Sequence, residues 1–505
     1  MTDRARDALA EAPHLLVALV IFSMLGQTFL ARVGHPFDLE WMEGGMLLHA
    51  ERVQQGLPLY VEPSLEFIPF IYPPLYAWTV GWASMVFELG YPLGRVISML
   101  GTLAAAVALV VAISSEGLSV WLGIGGAALF LTTFDDTGGF FDLVRTDGLL
   151  MGLLAWALVC GRLGFTRACG LLLTLSYLTK HNAAAFGVPI LLWTWRVHGR
   201  APALRFAAWS VLPALAVTAA VQMSGDGLFL TYLLEVPSSH GFNMKRLYPG
   251  SEREMWMMMQ WTNGFIVLAT VIWLARRFIP RLPRPAPLGP GGVYWLANGA
   301  LTLALCIMMR GHVGGYYNVL IPGGWILALW GGLTLGRTRL DLGRDKRWVL
   351  LLTSIFLAFQ IWVERWDVER YTPTPRSVEA GEQLMETLSA MEGPVMMPES
   401  PWYLRRTGHA PGFHLIALWD IDHDGALSEH VDTLRAALAA QRWSSVILTK
   451  KSLCVGCKDS YGLKSSYVVR RQLMGMRPLR PVTGWPVVPR YVFEPMTSAS
   501  DEGTR

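Results

Sequence analysis

Apolar residues along this chain fall in blocks. The runs 14–30, 97–113, 118–134, 149–160, 207–221, 266–275, 319–335 and 349–363 are each closed by polar or basic residues. Several approach the roughly 20 residues a membrane-crossing helix needs, since only a closed helical ladder satisfies the backbone in lipid. The pattern predicts an α-helical polytopic membrane bundle over 14–365. From Trp366 the blocks stop. Helix-like segments at 377–391 and 427–441 then alternate with strand-like ones at 394–397, 445–449 and 467–470, predicting a small soluble α/β domain over 377–505. Residues 366–376, with Thr372-Pro373-Thr374-Pro375, read as a short stiff linker.

Loop charge gives an expected topology. Basic connectors at Arg162 with Arg167, 196–205, 276–284 and 337–347 alternate with acidic or nearly neutral ones at 135–147, 224–260 and 311–317. Lys and Arg near helix ends stay cytoplasmic, which puts the second set outside, with the Lys180-His181-Asn182 break and everything after Trp366. Residues 1–13 read as a cytoplasmic N-terminus, and with no small-residue cleavage site after it the first span reads as uncleaved. Residues 34–72 hold six acids against the single Arg52 and read as the first external loop. Three apolar segments then separate two external loops, so one of 74–87, 96–112 and 118–134 does not cross. The total is about eleven spans by the length rule.

Composition agrees. The 505 residues are 52% hydrophobic and 16% charged, with 21 Trp, which excludes an ordinary soluble enzyme. The net charge of +4 is scattered over short loops, so no nucleic-acid partner is expected. Cys160, Cys169 and Cys306 lie in or beside apolar blocks and read as small hydrophobes. Cys454-Val-Gly-Cys457 sits in a polar loop of the expected outer domain and reads as a local disulfide or half of a metal site.

The candidate chemistry starts right after the first span, where Asp38, Glu40 and Glu43 crowd against the outer bilayer surface. Two readings fit: a general base or cation site whose pKa is raised by burial near Trp41, or a solvated loop beside a helix N-terminus. Met42, Met46, Ala50, Val53 and Leu57 then mark an amphipathic, interfacial helix with Glu51, Arg52, Gln54 and Gln55 opposite. Gly56, Pro58-Leu59-Tyr60 and, after an extended stretch, Pro73-Pro74-Leu75-Tyr76 complete the loop.

The acidic pair, the string Ala50, Val53, Gly56, Pro58, Leu59, Tyr60, and then Pro73 to Tyr76 resemble, in that order, the GT-C class of integral membrane glycosyltransferases, especially bacterial relatives of protein mannosyltransferases and the lipid A aminoarabinose transferase. Leu178-Thr179-Lys180 is similar to that group's T-K-G element, with His181 for Gly, and Tyr316-Tyr317 with Pro322 to its late Tyr/Pro segment. The resemblance spans about 14–340 and rests on the order of short motifs. It implies a GT-C helical bundle with interfacial helices in the first external loop, in the bacterial cytoplasmic membrane, with the C-terminal domain periplasmic. It also implies a polyprenyl-phosphate-linked sugar donor, transfer with inversion to a glycan, lipid or protein acceptor, and a first-loop acid as base. By position Glu43 comes first, in Met42-Glu43-Gly44. The acid that normally precedes it is Met42 here, so Glu40 or Asp38 supplies any second carboxylate. Tyr60, Tyr72, Tyr316 and Tyr317 are the implied substrate contacts.

A lipid-phosphate leaving group needs cations on the same side. Lys180 is the first candidate and Arg310 the next, followed by Arg145, His181 and His312, each set against a snorkelling or structural role at a helix end. Asp142 and Asp147, in an external cluster with Asp135-Asp136, are candidate ligands for a divalent cation, Mg²⁺ or Mn²⁺, without a spacing that decides for one. Asp420, Asp422 and Asp424 before Gly425 look like the start of a calcium loop, but position 12 is Val431, so a solvated acidic turn is expected. Trp402, Tyr403, Arg405, Arg406 and Trp419 are candidate saccharide contacts of the outer domain. The alternative to a transferase is a non-catalytic transporter or flippase of polyprenyl-linked saccharides. That function places its charges on broken helices near the midplane, whereas these acids cluster in a loop.

Overall fold

The computed structural model describes residues 3–279, 288–342, 346–453 and 461–497. The chain enters through α1 (Asp3–Val33), turns through the first loop into α2 (Glu43–Gln54) and α3 (Leu75–Ala83), and then runs through α4 (Tyr91–Ser115), α5 (Val120–Thr132), α6 (Thr146–Leu163) and α7 (Thr166–Thr179). After a break at Lys180 follow α8 (Gly187–His198) and α9 (Arg200–Gln222), and later the long helices Gln260–Phe278, Pro290–Gly311, Ile321–Leu342 and Arg347–Val363. Among the described residues six helices are long and apolar enough to cross a membrane, or up to eight when each bent pair is one span. The protein is a multi-pass membrane protein.

The sequence count of about eleven included shorter pieces by the length rule, and the helices show why the two numbers part. The apolar stretch broken at Lys180 is divided into α7 before it and α8 after it, of 14 and 12 residues. Helix α3 has nine residues, about 14 Å at 1.5 Å per residue, roughly half the hydrocarbon thickness. It is the shortest of the three helices between 74 and 134; α5, of 13 residues, is also below the length of a full span. Bundle packing uses glycine where backbones touch. A Cβ on Gly101 of α4 would lie 2.2 Å from the Gly148 carbonyl oxygen of α6, a small-residue contact of the kind that lets membrane helices approach closely.

The described residues between 375 and 497 form an α/β unit on a four-stranded sheet: β1 (Val395–Met396), β2 (Ser445–Leu448), β3 (Tyr467–Gln472) and β4 (Tyr491–Pro495). The order is β1-β2-β4-β3, with β1 parallel to β2 and the other pairs antiparallel. The helices expected at 377–391 and 427–441 are Pro375–Ser389 and Val431–Ala439, and the expected strands match β1, β2 and β3. Strand β4, second from the edge, was not expected, because Pro481, Pro486 and Pro489 precede it closely. Cys454 and Cys457 lie outside the described residues.

Helix α2 is buried over ten of its twelve residues. Its apolar face joins one core with the α/β unit: Phe37, Met46 and Leu47 share it with Leu384, Trp402 and Leu404. Glu51, expected on a wet face, pairs with Arg405 at 2.7 Å. The polar face is thus partly covered by protein, with Gln54 left exposed near its end. Trp402 and Tyr403, offered above as saccharide contacts, are core residues, 7% and 2% exposed.

Candidate functional site

The first-loop acids separate into two networks. Glu43 opens α2 and is fully buried; Arg95, the one charge in α4, meets it with two bonds, Nη2 to Oε2 at 2.7 Å and Nε to Oε1 at 3.0 Å. The backbone amides of Leu39 and Val144 also donate to it, at 2.7 and 2.9 Å. Burial, the largest effect, pushes its carboxyl up but is outweighed by the Arg95 charge and these bonds, so it stays below the usual range. Every site on this carboxylate is occupied. Asp38 is held through one oxygen, Oδ1, which accepts from Gly44 N at 3.0 Å and the Tyr91 hydroxyl at 2.9 Å, while its buried Oδ2 has no partner among the described residues; burial and Glu43 raise the carboxyl to about 7. Nearby, Arg32 pairs with Asp142 at 3.0 Å. This network clamps the first loop to α4 and to the loop before α6.

Glu40 belongs to the other network. Its Oε2 accepts from Arg145 at 3.2 Å and from Met42 N at 3.2 Å. Arg145 also donates to the Tyr72 hydroxyl at 3.0 Å and stands 4.0 Å from Asp147. Asp147 binds Lys180 at 2.5 Å and accepts from Asn318 at 3.0 Å. Glu40, Arg145, Asp147 and Lys180 thus make a continuous string of alternating charge. Burial raises the Glu40 carboxyl to about 7, with Arg145 opposing the shift and Glu43 adding to it. That is the range in which a carboxylate works as a base at neutral pH.

Two hollows flank the string. On one side an apolar groove is lined by Leu150, Leu154, Phe186, Leu305, Met309 and Pro322, with Asp147, Lys180 and Asn318 at its polar end. Its open volume is about 50 Å³, well below the roughly 300–1,000 Å³ of a ligand pocket, so its side chains must part for a chain to enter. On the other side is a polar cleft of about 410 Å³ under Tyr316, Tyr317 and the 480–484 segment. Residues 316–319 are the shared wall: the tyrosines face the cleft, Asn318 and Val319 the groove.

The other expected contacts fall elsewhere. Arg310 is held by a two-bond pair with Glu254, at 2.7 and 2.8 Å, so its guanidinium is committed. His312 bonds the Pro237 carbonyl at 3.0 Å, and His181 opens the turn His181–Phe186 while its neighbours Asn182 and Ala183 line the groove. Tyr60 donates to the Tyr72 carbonyl at 2.7 Å and packs on Phe229, holding the loop's shape. Asp142 and Asp147 sit in different networks, each faced by a cation. Among the described residues no three His, Cys, Asp or Glu side chains gather as metal ligands. The acidic turn corrects in part. Asp420 is buried at the end of helix Leu415–Ile421 instead of solvated, and Asp422 accepts from the Tyr461 hydroxyl at 2.6 Å. Sequence reasoning missed Arg95, Arg32 and Asn318. Arg95 carried a signal, because a lone charge inside an apolar run needs a buried partner.

A helical bundle whose charged first loop is roofed by a small α/β unit is a fold already seen in solved structures. Two crystal structures of ArnT from Cupriavidus metallidurans share it, one in the apo state and one bound to undecaprenyl phosphate. Each aligns with a TM-score of 0.52, at 13% and 14% identity, over 95% of this chain and 96% and 97% of theirs. At that identity the likeness is one of fold. No family profile and no curated protein matches the sequence.

Proposed function

We propose that the protein is an inverting GT-C glycosyltransferase. It moves a sugar from a polyprenyl-phosphate donor to a hydroxyl of a cell-envelope glycan, lipid or protein, on the outer face of the bacterial cytoplasmic membrane. Residues 377–505 are then periplasmic and the N-terminus cytoplasmic. The observation that carries this reading is the string from Glu40 to Lys180, set between an apolar groove and a polar cleft. The undecaprenyl phosphate bound by the ArnT neighbour supports the donor class.

In this mechanism the prenyl chain lies in the groove and Lys180 turns from Asp147 to the donor phosphate. The acceptor oxygen attacks the anomeric carbon as the bond from that carbon to the phosphate oxygen breaks. The hydroxyl proton passes to Glu40, and the phosphate leaves with its electron pair and negative charge stabilised at Lys180. Arg145 holds Glu40 in place. Glu43, first by motif position, becomes a positioning residue, since both its oxygens are taken and a base must have an oxygen open to the acceptor; Asp38, whose unpartnered oxygen is buried and which lines neither hollow, helps hold the loop. Sugar transfer by the purified protein tests this. Glu40→Gln should cut turnover by about 10²- to 10⁴-fold, the usual contribution of a general base, and unchanged turnover refutes the assignment.

A further inference from the structure

The polar cleft has a composition the donor does not explain. Asp135 and Asp136 stand against Arg370 and Arg480, so the cleft presents groups of both signs. Asp135 is already bound by Arg370 at 2.9 Å. Among the described residues, Pro481 and Val482 are the aliphatic side chains that line the hollow. Tyr316 is 36% exposed, and its ring stands edge-on to Tyr317 at 5.0 Å. An acyl chain finds little to bury against here, and a strongly charged ligand meets charge of its own sign. A neutral polyol fits: a tyrosine face takes a pyranose ring, while carboxylate and guanidinium groups bind its hydroxyls.

The cleft also borders the string. Gly484 lines it and lies against Glu40, so that a Cβ there would stand 2.8 Å from Glu40 Cγ and Oε1. Oε2 is the oxygen taken by Arg145 and Met42. The other oxygen is thus turned to the cleft wall. Burial, with Glu364 and Asp135, lifts Asp136 to about 7, so near neutrality its carboxyl both donates to and accepts from hydroxyls.

We propose that this cleft is the acceptor subsite and that it takes a neutral oligosaccharide, stacked on Tyr316 and bound by Asp136 and Arg480, with its attacking hydroxyl directed across Gly484 to Glu40. This rests on the transferase reading and narrows its acceptor from glycan, lipid or protein to a glycan. The test is saturation-transfer NMR on the full chain in nanodiscs, with mannotriose, maltotriose and cellotriose as probes. At least one trisaccharide should receive saturation, and Tyr316→Ala or Arg480→Ala should weaken its binding about three- to tenfold, the worth of one such contact. Both side chains are exposed, so these variants keep the fold. Lys180→Ala, in the donor groove, should retain the signal. Absence of transfer to all three sugars, or equal signals in wild type and Tyr316→Ala, overturns the proposal. Sugar transfer from the lipid donor is followed in parallel. Transfer without trisaccharide binding defeats the cleft alone, and binding without transfer defeats the transferase reading.

Discussion

Replacing Glu43 with Gln keeps the side chain's shape and removes its charge at the centre of the buried clamp. Arg95 then loses its counter-ion, both residues being fully buried. The carboxylate accepts four hydrogen bonds, two from Arg95 and one each from Leu39 and Val144. An amide has one acceptor oxygen, so its NH₂ must face a donor. Breaking a buried pair from one side costs about 3–5 kcal/mol. Arg95 keeps three carbonyl partners, Arg32, His35 and Phe37, at 2.6 to 2.8 Å, which places the cost at about 3 kcal/mol, the low end of that range. Glu40→Gln is different. A carboxyl with a pKa of about 7 is half protonated at neutral pH, so an amide resembles a form already populated, and the stability change is within about 1 kcal/mol. Thermal unfolding in detergent, followed by tryptophan fluorescence, should show Glu43→Gln clearly lowered and Glu40→Gln near wild type. A Glu43→Gln protein that melts like wild type yet transfers no sugar would mean that Glu43 acts in the chemistry, and the division into clamp and base would fail.

The pH profile follows from Glu40. A raised carboxyl pKa means the basic form is lost as pH falls through about 7, so turnover should drop about tenfold per unit on the acid side; a flat profile between pH 5 and 7 contradicts this. Lys180→Ala should raise the donor KM by about tenfold or more, the loss of one charge-assisted contact to phosphate, with the acceptor KM nearly unchanged; the two are separated by varying each substrate in turn. At Gly44 an added Cβ would stand 2.6 Å from Trp402 Cβ. Gly44→Ala should therefore loosen the first loop from the α/β unit at a cost of about 1–3 kcal/mol, read as a lower melting temperature and earlier proteolysis of the C-terminal unit.

How far the sequence discloses this protein depends on the range of the interaction. Blocks of apolar residues announce the bundle because a helix in lipid is local and needs length and composition alone. The alternating helix-like and strand-like segments after Trp366 announce two helices and three strands of the α/β unit for the same local reason. Strand β4 escaped because its pairing with β2 and β3 is decided across the sheet. The acidic loop was visible, but the ranking of its acids was not. Glu43 and Glu40 are three residues apart, and only distant partners, Arg95 on α4 and Arg145 before α6, separate clamp from string. Lys180 was legible as a charge at a break in an apolar run. Arg310 gave the same signal, yet Glu254, 56 residues earlier, occupies it.

The central claim is that Glu40, and not Glu43, takes the acceptor's proton. Single-turnover sugar release from a polyprenyl-phosphate donor, measured against pH with wild type, Glu40→Gln and Glu40→Asp, tests it most directly. The account predicts a wild-type rate that rises through about pH 7, a pH-independent and much lower rate in Glu40→Gln, and partial recovery of the pH-dependent rise in Glu40→Asp. A Glu40→Gln enzyme that keeps the wild-type rate and its pH-dependent rise would contradict it.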